Sequence, residues 1–165
     1  MPGVRARLKA SLPGKTELLA GAPVWGMLMA LSAAASLHLG KRLDFPTDTV
    51  LLALYFAGGA LGWSAALPLA RFCAAGRRPD TRLASCLFWL SVATVGITAL
   101  LFALQYRSFY AQWHAPFMTR IWLNQFVFTS ASAVYQFAVM GLRLYLPLGF
   151  VFLLAASAIM ARRIR

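Results

Sequence analysis

His38 closes the first apolar run of this chain and Asp44 precedes the second, while Arg107, His114 and Arg120 follow the third. A histidine beside an aspartate is an acid–base pair that works near neutral pH, and arginine suits a phosphate or carboxylate. Gathered at one membrane face, these five residues would serve acid–base work on a lipid or capture of an anionic head group. The simpler reading is that the basic residues snorkel to phosphates while the aspartates cap helices or form pairs. Two histidines also raise haem or metal ligation. His38 ends an apolar run and His114 precedes Pro116, so nothing fixes opposed ring geometry, and Asp44 is the nearest further ligand. No cofactor and no metal is therefore expected.

A second constellation is uncharged. In "NQFVFTSASAVYQF", at 100° per residue, Gln125, Thr129, Ser132 and Gln136 share a narrow arc, and Arg143 continues the line two turns on. Leu123, Val127, Val134 and Phe137 take the far side. Such a stripe suits a helix lying in the interface or dipping into it, and equally a span that turns its stripe toward other helices. Held at mid-bilayer, Arg143 would cost about 2.5 to 3.5 kcal/mol, so it either snorkels or neutralises a lipid phosphate.

Several reaction classes have no support. The chain contains no G-x-x-x-x-G-K-[ST], no H-E-x-x-H and no G-x-S-x-G, and its apolar runs hold no acid near their centres, where proton-coupled carriers keep one. Cys73 and Cys86 form no C-x-x-C pair and read as small apolar fillers.

The elements that must position these residues follow from composition. Of 165 residues, 61% are hydrophobic and 12% charged, with mean hydropathy +0.69. A soluble domain of this size buries only about 60 to 70% of its unfolded surface, so the excess apolar area must face lipid. The net charge of +12 sits at the ends of apolar runs, in "VRARLK", "RFCAAGRRPDTR" and "ARRIR", which is the pattern of cytoplasmic loops rather than of a nucleic-acid surface.

Leu18 to Leu39, Thr49 to Ala70 and Leu83 to Leu104 are long enough to span, and Leu144 to Ala161 is a shorter fourth with Pro147 in its first turn. Thr16 with Glu17, Thr47 or Asp48, Asp80 or Thr81, and Thr119 stand where helix caps belong, which leaves Asp44 unassigned among the four acids. The first run, ending in "SAAAS", also resembles a cleaved secretory signal, although it exceeds the usual h-region of about 7 to 15 residues. Arg5, Arg7, Lys9 and Lys15, then Arg71, Arg77, Arg78 and Arg82, place the N-terminus and the second loop in the cytoplasm of a bacterial inner membrane.

The remaining question is how residues 105–143 lie. Tyr106, Phe109, Tyr110, Trp113 and Phe117 form an aromatic belt, and Pro116 then breaks the helix. Arg162, Arg163 and Arg165 belong inside, which favours four transmembrane helices with an interfacial or re-entrant amphipathic helix in a single membrane domain. The alternative is five spans, with Ile121 to Met140 crossing. Gly58, Gly62, Ala66 and Ala70 form a small-residue stripe for close helix packing, and Ser32, Ser36, Ser91, Thr94 and Thr98 read as interhelical or back-bonded hydroxyls.

The expected function is non-catalytic. It is that of an accessory or assembly subunit in the lipid bilayer, docked to a membrane-protein partner or to copies of itself, with no nucleic acid. The alternatives are a carrier or flippase-like protein using the polar stripe, and an enzyme using the outer His/Asp/Arg cluster.

Overall fold

The computed structural model describes residues 11–164, the side chains of residues 45–47 excepted. The described chain is helical with no strand: α1 (Lys15–Leu39), α2 (Phe45–Ala74), α3 (Pro79–Tyr110), α4 (Arg120–Gln136) and α5 (Leu148–Arg163). A 3-10 turn, Ala111–Trp113, follows α3, while a π turn, Phe137–Gly141, and a 3-10 turn, Leu142–Tyr145, separate α4 from α5.

The first three helices contain 25, 30 and 32 residues. At 1.5 Å per residue they run about 37 to 48 Å, longer than the roughly 30 Å hydrocarbon core of a bilayer. No more than a third of each helix's most apolar window is buried inside the chain, 28%, 33% and 22% in turn. The remaining apolar surface needs lipid, and these are the properties of a helical membrane protein. The 16-residue α5 reaches only about 24 Å and falls short by itself. Joined to α4 through a 72° bend it makes a fourth apolar element, a broken span or a re-entrant loop.

Short connections make α1, α2 and α3 antiparallel neighbours. Gly76, at φ +70°, takes the left-handed conformation that turns α2 into α3. Along α2, the stripe of Gly58, Gly62, Ala66 and Ala70 faces α3: a Cβ on Gly62 would stand 2.7 Å from the Thr94 Cα, and one on Gly58 would overlap the Thr98 side chain. Ala66 and Ala70 are fully buried, and Ser85 donates to the Ala70 carbonyl at 3.1 Å. A second close approach joins α1 to α2, where a Cβ on Gly59 would lie 2.9 Å from the Gly26 Cα. Trp25, Met29, Leu67, Cys86 and Leu90 fill the centre, and α5 lies against α3 and α1.

Helix entry differs from the sequence expectation in three places. Gly14, not Thr16, is the N-cap of α1, and its amide donates to Glu17 Oε2 at 3.2 Å. Asp44 is the N-cap residue of α2, with its amide held by Asp48 Oδ2 at 2.9 Å. Asp80 lies within the first turn of α3, paired loosely with Arg78 at 3.8 Å. Thr119 caps α4 through its Oγ1, which accepts from the Trp122 amide. Arg5, Arg7, Lys9 and Arg165 lie outside the described residues.

Candidate functional site: a broken helix held by hydroxyls

Pro147 has no amide hydrogen to offer the Leu144 carbonyl, and the π and 3-10 turns before it leave carbonyls open to further donors, although the Leu146 amide already reaches that of Arg143 at 3.0 Å. Earlier helices supply them. Tyr55 of α2 donates to the Gly141 carbonyl at 2.6 Å, and Ser32 and Ser36 of α1 donate to the carbonyls of Leu144 and Arg143 at 3.1 and 3.4 Å. The Ser32 oxygen in turn accepts from the Gly149 amide at 2.8 Å, so one hydroxyl bridges both sides of the break. From α3, Thr98 accepts the Tyr145 hydroxyl at 2.8 Å while back-bonding to the Thr94 carbonyl, and Thr94 accepts the Trp25 indole N–H at 2.9 Å. Thr94 and Thr98 straddle the midpoint of α3, so the break lies near mid-height. Among the described residues, Ser157 Oγ on α5 is the buried side-chain oxygen left without a partner.

The position assigned to Phe137 is corrected: it stands one α-helical turn on from the buried Ala133, whose carbonyl its amide reaches, just as the π turn begins. It leaves the outward side shared by Leu123, Val127 and Val134 and is buried against Ala33, Tyr55 and Phe102. The same turns shorten the fourth apolar element: α5 begins at Leu148, with Leu144 and Tyr145 in the 3-10 turn and Pro147 at the N-cap position.

Residues 105–143 are not one amphipathic segment. Gln105 to Tyr110 continue α3, and α4 folds back along that extension. Three residues of the polar stripe hold it there: Gln125 Oε1 accepts from the Ala115 amide at 2.8 Å, Thr129 Oγ1 meets His114 Nε2 at 3.3 Å, and Gln136 donates to the Tyr106 hydroxyl at 3.4 Å. Ser132 and Arg143 are exposed. The stripe is thus divided between an interface and an open face.

The His/Asp/Arg cluster is likewise distributed. Arg107 lies over the Phe126 ring at 4.3 Å and near that of Trp122 at 5.7 Å, a cation–π arrangement that couples α3 to α4. His114 meets Thr129, Asp44 starts α2, His38 is exposed in the last turn of α1, and Arg120 is exposed where α4 begins. Among the described residues no three of His, Cys, Asp and Glu converge on one point.

The features that sequence reasoning missed depend on contacts between distant residues. Glu17, expected as a cap, also binds Arg71 at 2.6 Å across 54 positions. Tyr55 carried no signal, standing in an unbroken apolar run. Cys73 accepts the Trp89 indole N–H at 3.3 Å and is exposed, whereas Cys86 is the buried filler. Comparison with protein-family models, curated proteins and solved structures finds no match.

Proposed function

We propose that this chain is a non-catalytic, multi-pass protein of a bacterial inner membrane, with a cytoplasmic N-terminus and four crossings, serving as an accessory or assembly subunit of a larger membrane complex. The fourth crossing is α4 and α5 together. Its C-terminal end supports that topology: Arg82, in the basic turn between α2 and α3, donates to the Ile164 carbonyl at 2.6 Å, so the tail returns to the end where α1 begins.

The observation that carries the docking role is the way α4 is mounted. Gln125, Thr129 and Gln136 bind the outer end of α3 and the turn after it, and Arg107 clamps the same helix through two rings. The opposite face presents Leu123, Val127, Phe128 and Tyr135, of which Phe128 is 72% exposed. A helix fixed on one side and apolar on the other is suited to hold a partner helix in register.

Two measurements test this reading. Reporters active in the cytoplasm or the periplasm, fused after Arg165 and after Arg82, should both report cytoplasm; a periplasmic tail would overturn four crossings. Extraction in mild detergent should retain a stoichiometric partner that Phe128→Ala releases. A clean monomer without an interactor would count against the subunit role.

The break supports a second reading, a carrier for an amphipathic substrate, because interrupted spans in transporters expose backbone and place substrates at mid-membrane. It predicts loss of function in Gln136→Leu; indifference to that substitution would remove it.

A further inference from the structure

At the end of the bundle where α1 begins and α5 finishes, a cavity of about 530 Å³ opens between α1, α2 and α5. Its walls are apolar, with Trp25, Leu28, Trp63, Leu67, Phe152 and Ile159 among them. Gly21 makes room for one wall, since any side chain there would overlap the Trp63 indole, which donates to the Glu17 carbonyl at 3.2 Å. The cavity is open along one side, where Val24 and Ile159 are 60% and 53% exposed. Lipid can therefore enter sideways.

Among the described residues that line it, charge is confined to one end. Glu17, Arg71 and Arg163 line the mouth, and Glu17 is paired with Arg71 at 2.6 Å. Two guanidiniums with one carboxylate leave a single positive charge. From Glu17 to Leu28 along α1, and from Arg163 to Phe152 along α5, the slot runs about 16 Å, roughly one leaflet of a bilayer whose hydrocarbon core is about 30 Å thick. Its volume falls within the roughly 300 to 1,000 Å³ usual for ligand sites.

We propose that this slot is a binding site for one anionic phospholipid of the leaflet at that face, with an acyl chain in the slot and the phosphate at Arg163 and Arg71. A free anion would leave the apolar walls unused, and a zwitterionic lipid would bring its own cation to a mouth already positive. Glu17 limits the affinity by occupying part of the Arg71 guanidinium.

The test uses the full-length protein, delipidated in mild detergent and offered equimolar dioleoyl-phosphatidylglycerol and dioleoyl-phosphatidylcholine, with retained lipid read by native mass spectrometry. One phosphatidylglycerol should be held in preference to the choline lipid. Arg163→Gln should lower that retention by about tenfold, the value of one charge-assisted hydrogen bond. Ala156→Trp, which fills the slot, should abolish it, and Glu17→Gln should raise it. Equal retention of both lipids, or unchanged retention in Arg163→Gln, would overturn the proposal. So would a dimer that Ala156→Trp dissociates, because a second copy would then fill the slot. Arg163 is exposed, so its variant keeps the experiment decisive even if the tryptophan variant does not fold.

Discussion

The Tyr55 hydroxyl donates to the Gly141 carbonyl at 2.6 Å, joining the middle of α2 to the π turn between α4 and α5. Its ring packs on Tyr145 at 5.0 Å, so Tyr55→Phe removes the bond and keeps the packing. Leaving a fully buried acceptor unpaired costs about 1 to 3 kcal/mol, this contact is part-buried, and hydrogen bonds between membrane helices average about 0.6 kcal/mol. We expect Tyr55→Phe to destabilise by about 1 kcal/mol in detergent unfolding. Ser91→Ala, which removes only a back-bond to the Leu87 carbonyl, should change little.

The two helix glycines Gly58 and Gly96 should respond oppositely to a methyl group. At Gly58 a Cβ meets Thr98, and overpacking of this kind costs about 1 to 3 kcal/mol. At Gly96 a Cβ finds nothing within 4 Å, and alanine is the better helix former by up to about 1 kcal/mol. Thermal unfolding should show Gly58→Ala melting below the parent and Gly96→Ala at or above it.

Arg107→Lys should loosen α4 although the charge is retained. A guanidinium covers an aromatic face with its plane, whereas an ammonium is a compact, strongly hydrated point charge. A cation–π contact is worth about 0.5 to 2 kcal/mol. Hydrogen exchange should rise in α4 and in the Ala111–Trp113 turn, with α1 unchanged; uniform protection across the variant would refute the clamp.

Ser157→Ala should stabilise the protein. The hydroxyl is fully buried and lacks a hydrogen-bond partner, so its removal relieves desolvation at the cost of one small atom's packing. A gain of up to about 1 kcal/mol in unfolding free energy is expected. A loss would mean that the oxygen makes a contact worth keeping.

The sequence carried α1, α2 and α3 well, because length and apolarity are local properties and each helix encloses one of the long apolar runs. The arc of Gln125, Thr129 and Gln136 was legible for the same reason, since helical period depends only on spacing. Its use was not. Whether an amide lines a path or binds Ala115 depends on where α3 ends, and an apolar-run boundary at Leu104 concealed the extension to Tyr110. Phe137 was misplaced because it lies at the edge of the apolar arc, one turn on from Ala133, and spacing alone does not say that Ala33 and Tyr55 cover that edge. Glu17 was read through its immediate neighbours, so the pairing with Arg71 could not be seen.

The hydroxyls at the break impose an order on biogenesis. Ser32, Ser36, Tyr55 and Thr98 all leave the ribosome before Gly141, so their oxygens can be in place when the interrupted segment arrives. That segment entering alone would carry the Leu144 carbonyl, which Pro147 cannot serve, into hydrocarbon without those donors. Its stable destination is the flank of an already assembled trio, and the broken fourth element is therefore a late guest whose entry depends on the first three helices having met.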